Sequence, residues 1–419
     1  MQIYGFLFKF GYYSVDFLYF CSMKVVIAID SFKGCLTSKE ANEAAAEGIK
    51  MAYPDAEIVE VPVSDGGEGY MEAFHAAIGG QLEEVTVRDP LMRPIRAKYL
   101  LQNEMAVIEI AQASGLTLLT QEERNPMVAT SYGTGQLVAD AVRKGARHII
   151  VGLGGSATSD AGIGMLRAII DTFAKNGRIY GQNSPTQSRW DDIEVLKDVT
   201  FTIASDVKNP LYGENGAAHV FAPQKFAIEQ GESELVSISE REQTRPKVKG
   251  ATPEMILRLD ERAKKFAEIS ARHFGYDRSQ MPGAGAAGGL GYAFLQYLNA
   301  KSMSGIQLLL DTIRFKELVK DADLIITGEG SADRQTLMGK LPMGILEQSG
   351  QVPVILIAGR ISDRDELLNA GFARVECINP PDLPLEEAMR KDIAQQNIRQ
   401  LFKTQNIYNF IIGTKSKLW

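Results

Sequence analysis

The chain has 419 residues, 45% apolar and 23% charged, the balance of a globular protein large enough for two or more domains and a cleft. A formal net charge of −7 argues against a general affinity for nucleic acid or for an anionic membrane surface. Three cysteines (Cys21, Cys35, Cys377) without a CxxC pair and four isolated histidines offer neither a disulfide framework nor a zinc site, which suits a reducing, cytoplasmic setting.

In chain order, residues 1–22 crowd nine aromatics around Lys9 and Asp16. They make a poor membrane span and lack the charged start and cleavage site of a signal peptide. Met23 directly precedes the apolar run Val25–Ile29 and is expected to be the natural start, with 1–22 extraneous. Val- and Ile-rich runs then recur as expected buried strands at 24–30, 56–63, 106–111, 148–153, 201–207, 323–330 and 352–359. Helical patterns separate several of them, the clearest being 38–52 with Ser38 as a candidate N-cap. This alternation predicts a parallel α/β architecture, in which ligands bind beyond the carboxyl ends of the strands. Two segments break the pattern. Residues 226–249 are charged and read as an insertion, and 167–190 turn polar where another strand is expected. The end of the chain, 401–419, shows no amphipathic period and reads as a tail.

Polar or glycine-rich loops follow five of these strands: DSFKG (30–34), SDGGEG (64–69), GGSATSDAG (154–162), SDVKNP (205–210) and TGEGSAD (327–333). Phosphoryl transfer needs backbone donors around a polyphosphate, a cation against its charge, carboxylates for Mg²⁺ and a group that orients the attacking hydroxyl. Each type is present. Gly154, Gly155, Ser156 and Thr158 lie in a strand-to-helix turn suited to an anion. Gly283, Gly285 and Gly288 form a second glycine run, but no clear strand precedes it and no suitably placed acid follows, which disfavours a dinucleotide fold. Gly339-Lys340-Leu341 is no Walker loop. Asp30, Asp65, Glu68, Asp206, Glu329 and Asp333 are candidate metal ligands or proton acceptors, although an Asp after a strand also commonly caps the next helix. Lys33 follows the first strand closely enough to reach a phosphate or carboxylate, with Lys340 and Lys225 as weaker cases. Arg93 carries the planar fork that suits a substrate carboxylate.

Together, DSFKG, SDGGEG, DPL (89–91), NPMVATSYGTG (125–135), GLGGSATSDAGIG (152–164), ASDVKNPLYG (204–213), FAPQK (221–225), PGAGAAGGLG (282–291) and ITGEGSADRQTLMGKLP (326–342) resemble the type 1 glycerate kinase family in wording and order, from about Met23 to about residue 398. The resemblance implies ATP, Mg²⁺ and D-glycerate, usually with 2-phosphoglycerate as product, in a cytoplasmic enzyme that leaves a homodimer open. It also implies a flavodoxin-like domain built from both chain ends (23–88 and 315–400) and a larger inserted α/β domain of restriction-enzyme-like fold (89–314), with the active site in the cleft between them. On this reading Asp206 or Asp333 takes the hydroxyl proton, Asp65 or Glu329 helps hold magnesium, and Lys33 neutralises the phosphoryl group. Asp30, Ser31, Ser64 and Arg93 contact substrate, and the glycine turns cradle the nucleotide. The departures at 167–190 and 226–249 keep a catalytically impaired paralogue as an alternative, and a nicotinamide-dependent dehydrogenase is the remaining rival.

Overall fold

Among the residues that the computed structural model describes, 23–67, 69–174, 190, 193–226 and 252–404, the strands are β1 (Lys24–Ile29), β2 (Glu57–Glu60), β3 (Gln81–Arg88), β4 (Pro94–Gln102), β5 (Met105–Glu109), β6 (His148–Gly152), β7 (Thr200–Ala204), β8 (Lys301–Met303), β9 (Leu324–Ala332), β10 (Val354–Ile361) and β11 (Arg374–Cys377). They form two sheets in two compact units, one of residues 1–63 with 312–419 and one of Ser64–Asp311. Residues 1–22, Glu68, 175–189, 191–192, 227–251 and 405–419 lie outside the described residues, and with them most of the expected insertion and tail.

The discontinuous unit holds a five-stranded, all-parallel sheet in the order β2-β1-β9-β10-β11. Numbered within the unit this is 2-1-3-4-5, the flavodoxin-like doubly wound order, whose direction reverses between β1 and β9. Central strands flanked by others on both sides must be apolar on both faces, and Val25 to Ile29 and Leu324 to Ile326 are fully buried. The helix Ser38–Ala52 starts at Thr37, not Ser38. The Thr37 hydroxyl accepts the Glu40 N–H while Glu40 accepts the Thr37 N–H, a reciprocal capping box. Its small face of Ala41, Ala44, Ala45 and Gly48 lets the helix Lys391–Thr404 approach closely; a Cβ on Gly48 would lie 2.5 Å from the Arg399 carbonyl oxygen. The expected tail therefore begins inside a helix.

The larger unit carries a mixed six-stranded sheet, β3-β4-β5-β6-β7-β8, antiparallel for β3-β4-β5 and parallel thereafter. β3 pairs with β4 along its whole length, which ties the segment before Arg88 to this unit and sets the boundary at Val63 rather than at residue 88. The segment that turns polar at 167–190 begins as the second half of the helix Ile163–Phe173. Separate apolar cores support the two units, one centred on β1, β9 and β10 and the other on β5 to β7.

Candidate active site

In the discontinuous unit the point where strand order reverses lies between the ends of β1 and β9, where doubly wound sheets bind ligands. The end of β1 is held from below: Asn42 Oδ1 accepts the Ile29 N–H at 3.0 Å, while the Ser38 hydroxyl donates to the Ile29 carbonyl at 2.6 Å and accepts the Val63 N–H at 2.9 Å. Beyond this clamp the chain delivers Asp30, only 8% exposed, then Ser31, whose N–H bonds the Asp30 carboxylate at 2.7 Å. Lys33 is exposed, and no side-chain hydrogen bond or ion pair engages it among the described residues. From β9, a Cβ on Gly330 would sit 3.7 Å from Phe32 Cα and 3.9 Å from Lys33 N, so DSFKG and TGEGSAD open onto the same place.

The acids of TGEGSAD are more committed. Glu329 is buried; its Oε1 accepts from the Thr336 hydroxyl at 2.5 Å and its Oε2 pairs with Lys340 Nζ at 3.2 Å. Burial pushes its carboxyl above the usual carboxylate range, opposed by Thr336 and Lys340. Asp333 accepts the Gln335 N–H at 2.8 Å and donates its own N–H to Thr336, the geometry of a turn cap.

In the larger unit three other loops meet. Gly154 N–H donates to the Gly66 carbonyl at 3.3 Å, and a Cβ on Gly154 would lie 2.5 Å from Gly67 Cα. A Cβ on Gly305 would lie 2.2 Å from the Asp65 carbonyl oxygen. These contacts allow only glycine and bring SDGGEG, GGSATSDAG and the loop after β8 together. Ser64, which opens the first of them, is 2% exposed. Asp206, at the end of β7, projects into the cluster: burial is the main cause of its raised carboxyl, the Ser304 hydroxyl opposes it, and the Asp65 charge adds to it. The Tyr70 hydroxyl, bonded to the Gly305 carbonyl at 2.9 Å, is pushed up by burial and then by Asp206 and Asp65. Asp65 and Asp206, with no cation engaging Asp206 among the described residues, thus stand among glycine turns. Among the described residues no three His, Cys, Asp or Glu side chains gather as a cage. Mg²⁺ does not require one, since it takes one or two carboxylates and completes its shell with water and phosphate oxygens; Asp65 fits that demand.

Other candidates serve the fold. Thr158 is fully buried, bonded to Ser156 Oγ at 3.1 Å, and its carbonyl takes a 2.5 Å bond from Lys225. Burial drives Lys225 down to about 7. A Cβ on Gly288 would fall 1.9 Å from the Thr158 carbonyl and one on Gly285 2.3 Å from the Pro210 carbonyl, while Gly283 faces Ser302 Oγ at 3.1 Å. This glycine run packs closely against its neighbours, and Gly154 is itself bonded to Gly66, which leaves the exposed Gly155 as the open part of the turns. The Arg93 guanidinium is already occupied by Asp89 at 2.5 Å and Glu123 at 2.6 Å. One residue passed unremarked in the sequence: Glu109, at the end of β5, is 4% exposed and accepts the Met71 N–H at 2.7 Å, seating the helix that follows SDGGEG. Its signal was a single carboxylate inside the apolar run AVIEIA.

The fold and these loops define a two-unit α/β protein with glycine turns and acids clustered at strand ends, without a Walker loop and without a strand-led dinucleotide turn. The family model described as "Glycerate kinase family" matches residues 25–238 and 246–411. A glycerate kinase of Bacillus subtilis (strain 168) is 39% identical over 378 residues, 87% of this chain and 93% of that protein. A glycerate 2-kinase of Escherichia coli (strain K12) is 38% identical over 352 residues, 81% and 86% of the two chains. A crystal structure of a candidate glycerate kinase 2 from Salmonella typhimurium LT2 superposes with a TM-score of 0.71 at 34% identity, covering 95% of this chain and 99% of its own. The chain belongs to the glycerate kinase family. The interruption of the family match at 239–245 falls inside the segment expected to be an insertion, and no described helix is long and apolar enough to cross a membrane.

Proposed function

We propose that the protein transfers the γ-phosphoryl group of ATP to the 2-hydroxyl of D-glycerate, giving 2-phosphoglycerate and ADP, and that it works in the cytoplasm. The observation that carries this reading is the Asp65–Asp206 pair. A carboxyl raised by burial and by a neighbouring carboxylate is a proton acceptor tuned toward working pH. Asp206 takes the proton of the glycerate hydroxyl as that oxygen bonds the γ-phosphorus and the bond to the β–γ bridging oxygen breaks. Mg²⁺, held by Asp65 together with the triphosphate, supplies neutralising charge to the phosphates. Lys33 meets no side-chain partner among the described residues and neutralises charge on the transferred group. Asp30, Ser31 and Ser64 are assigned to the glycerate, and the exposed Gly155 offers a backbone donor to the nucleotide. Glu329 and Asp333, whose oxygens are engaged by Thr336, Lys340 and the turn at Gln335, shape the loop instead of reacting. Arg93 takes no part, since Asp89 and Glu123 hold it.

The test is ADP release coupled to a reporter with D-glycerate as acceptor, and phosphorus NMR of the product. Asp206→Asn is expected to lower kcat by about 10²–10⁴-fold, and Lys33→Met to lower kcat without loss of folding. Wild-type turnover in Asp206→Asn would remove that residue from the chemistry. Absence of ADP release by the unaltered protein with any small hydroxyacid would overturn the kinase reading itself.

A further inference from the structure

Three of the sequence motifs take no part in these assignments, and they meet. DPLMR (89–93), NPMVATSYGTG (125–135) and the end of GLGGSATSDAGIG (152–164) contribute walls to one cavity of about 340 Å³ in the larger unit, within the roughly 300–1,000 Å³ span of small-ligand sites. Its rim holds apolar side chains open to solvent: Met92 is 45% exposed, Val128 62% and Ile163 41%. Singly such residues would need no explanation, but three around one hollow mark a ligand surface. The backbone holds them there. Met92 adopts a left-handed φ of 66°, rare for a side chain of its size, in a turn pinned by Asp89 Oδ1, which takes the Leu91 and Arg93 N–H groups at 2.8 Å each.

The polar part of the wall is cationic in effect. Arg262 reaches the Met127 carbonyl at 3.4 Å and no carboxylate among the described residues, while Arg167 stands 3.8 Å from Asp171. Asp160, the carboxylate in the wall, already takes the N–H groups of Ser131, Gly162 and Gly164, which blunts its charge. Flat apolar walls beside guanidinium groups suit a heteroaromatic ring that carries phosphate: the ring lies against Met, Val and Ile, and arginine stacks on it or meets its charge. D-glycerate offers no apolar surface to such walls.

We propose that this cavity takes the adenosine part of ATP. The inference rests on the kinase reading above, and its test separates the two. Calorimetric titration of the full chain would compare ATP with inorganic tripolyphosphate, which carries the phosphates but no base, for the unaltered protein and for the exposed-site variants Val128→Glu and Ile163→Glu. Thermal melting would confirm that each variant is folded. The expected result is a rise of at least about tenfold in Kd for ATP in both variants with tripolyphosphate binding changed less than about twofold, because a buried carboxylate repels an apolar ring. ATP binding as tight as that of the unaltered protein in both variants, or equal loss of ATP and tripolyphosphate, overturns the cavity assignment while glycerate-dependent ADP release by the unaltered protein leaves the kinase reading standing. An unaltered protein that binds no ATP overturns both.

Discussion

Glu109 shows how a single buried carboxyl writes itself into pH dependence. Burial, reinforced by the charge of Glu72, pushes it up to about 7, against the pull of the Met71 N–H. Below the ordinary glutamate range, near about 4.3, folded and unfolded chains both hold the proton. From there to about 7 the native state keeps a proton that the unfolded chain has released, so stability falls as pH rises through that window, and above it the loss is complete. Glu109→Gln, which keeps a hydrogen-bond acceptor for Met71 and cannot ionise, is expected to flatten this fall. Between pH 5 and 8 the unaltered protein should lose more Tm than the variant, and equal losses would show that another group sets the slope. At this scale position was legible where it is local. Lys33 lies just beyond β1, and a residue placed by its own strand can be located from its neighbours. It was illegible where partners come from afar: the Met71 N–H that Glu109 accepts lies 38 residues earlier, and Arg93 reads as an open clamp until Glu123, thirty residues on, is seen to occupy it.

Among the elements, the buried parallel strands were visible because strands covered on both faces are continuous apolar runs. β1, β5, β6, β7, β9 and β10 fall where those runs lie. β3 escaped notice because its exposed edge position fills Gln81–Arg88 with Glu, Thr and Arg. The last turn of the helix Lys391–Thr404 was read as part of the tail for a different reason: Ala394, Ile398 and Phe402 repeat every four residues and are at most 1% exposed, but a window opened at 401 contains one of the three. This helix covers the Ala-rich face of Ser38–Ala52 and contributes Ile398 and Phe402 to the core of the discontinuous unit. Phe402→Ala is therefore expected to cost about 3–5 kcal/mol, measured by urea unfolding, whereas a solvated tail would register almost nothing.

For the whole molecule, the chain-order runs announced an α/β protein, while the boundary at 88 came with the family resemblance; the runs could not correct it, because nothing in an apolar-run count distinguishes a strand that starts a new sheet from one that ends the old. The observed division at Val63 and Thr312 has a consequence for folding. Ser64–Asp311 is continuous, holds all six strands of its sheet and encloses its own core, which are the requirements for folding alone. The other unit cannot meet them from one side: β1 pairs with β9 residue by residue from Val25–Leu324 to Ile29–Gly328, so its central strands come from opposite ends of the sequence. Expressed by itself, Ser64–Asp311 is expected to unfold in one cooperative transition by circular dichroism, and residues 23–63 alone to show none. The isolated larger unit should also release no ADP in the presence of glycerate, since Lys33 is missing from it. A fragment 64–311 that stayed molten would mean that its core depends on the other unit. A folded fragment that turned over ATP would place all of the chemistry on the Asp65–Asp206 side and remove Lys33 from the mechanism.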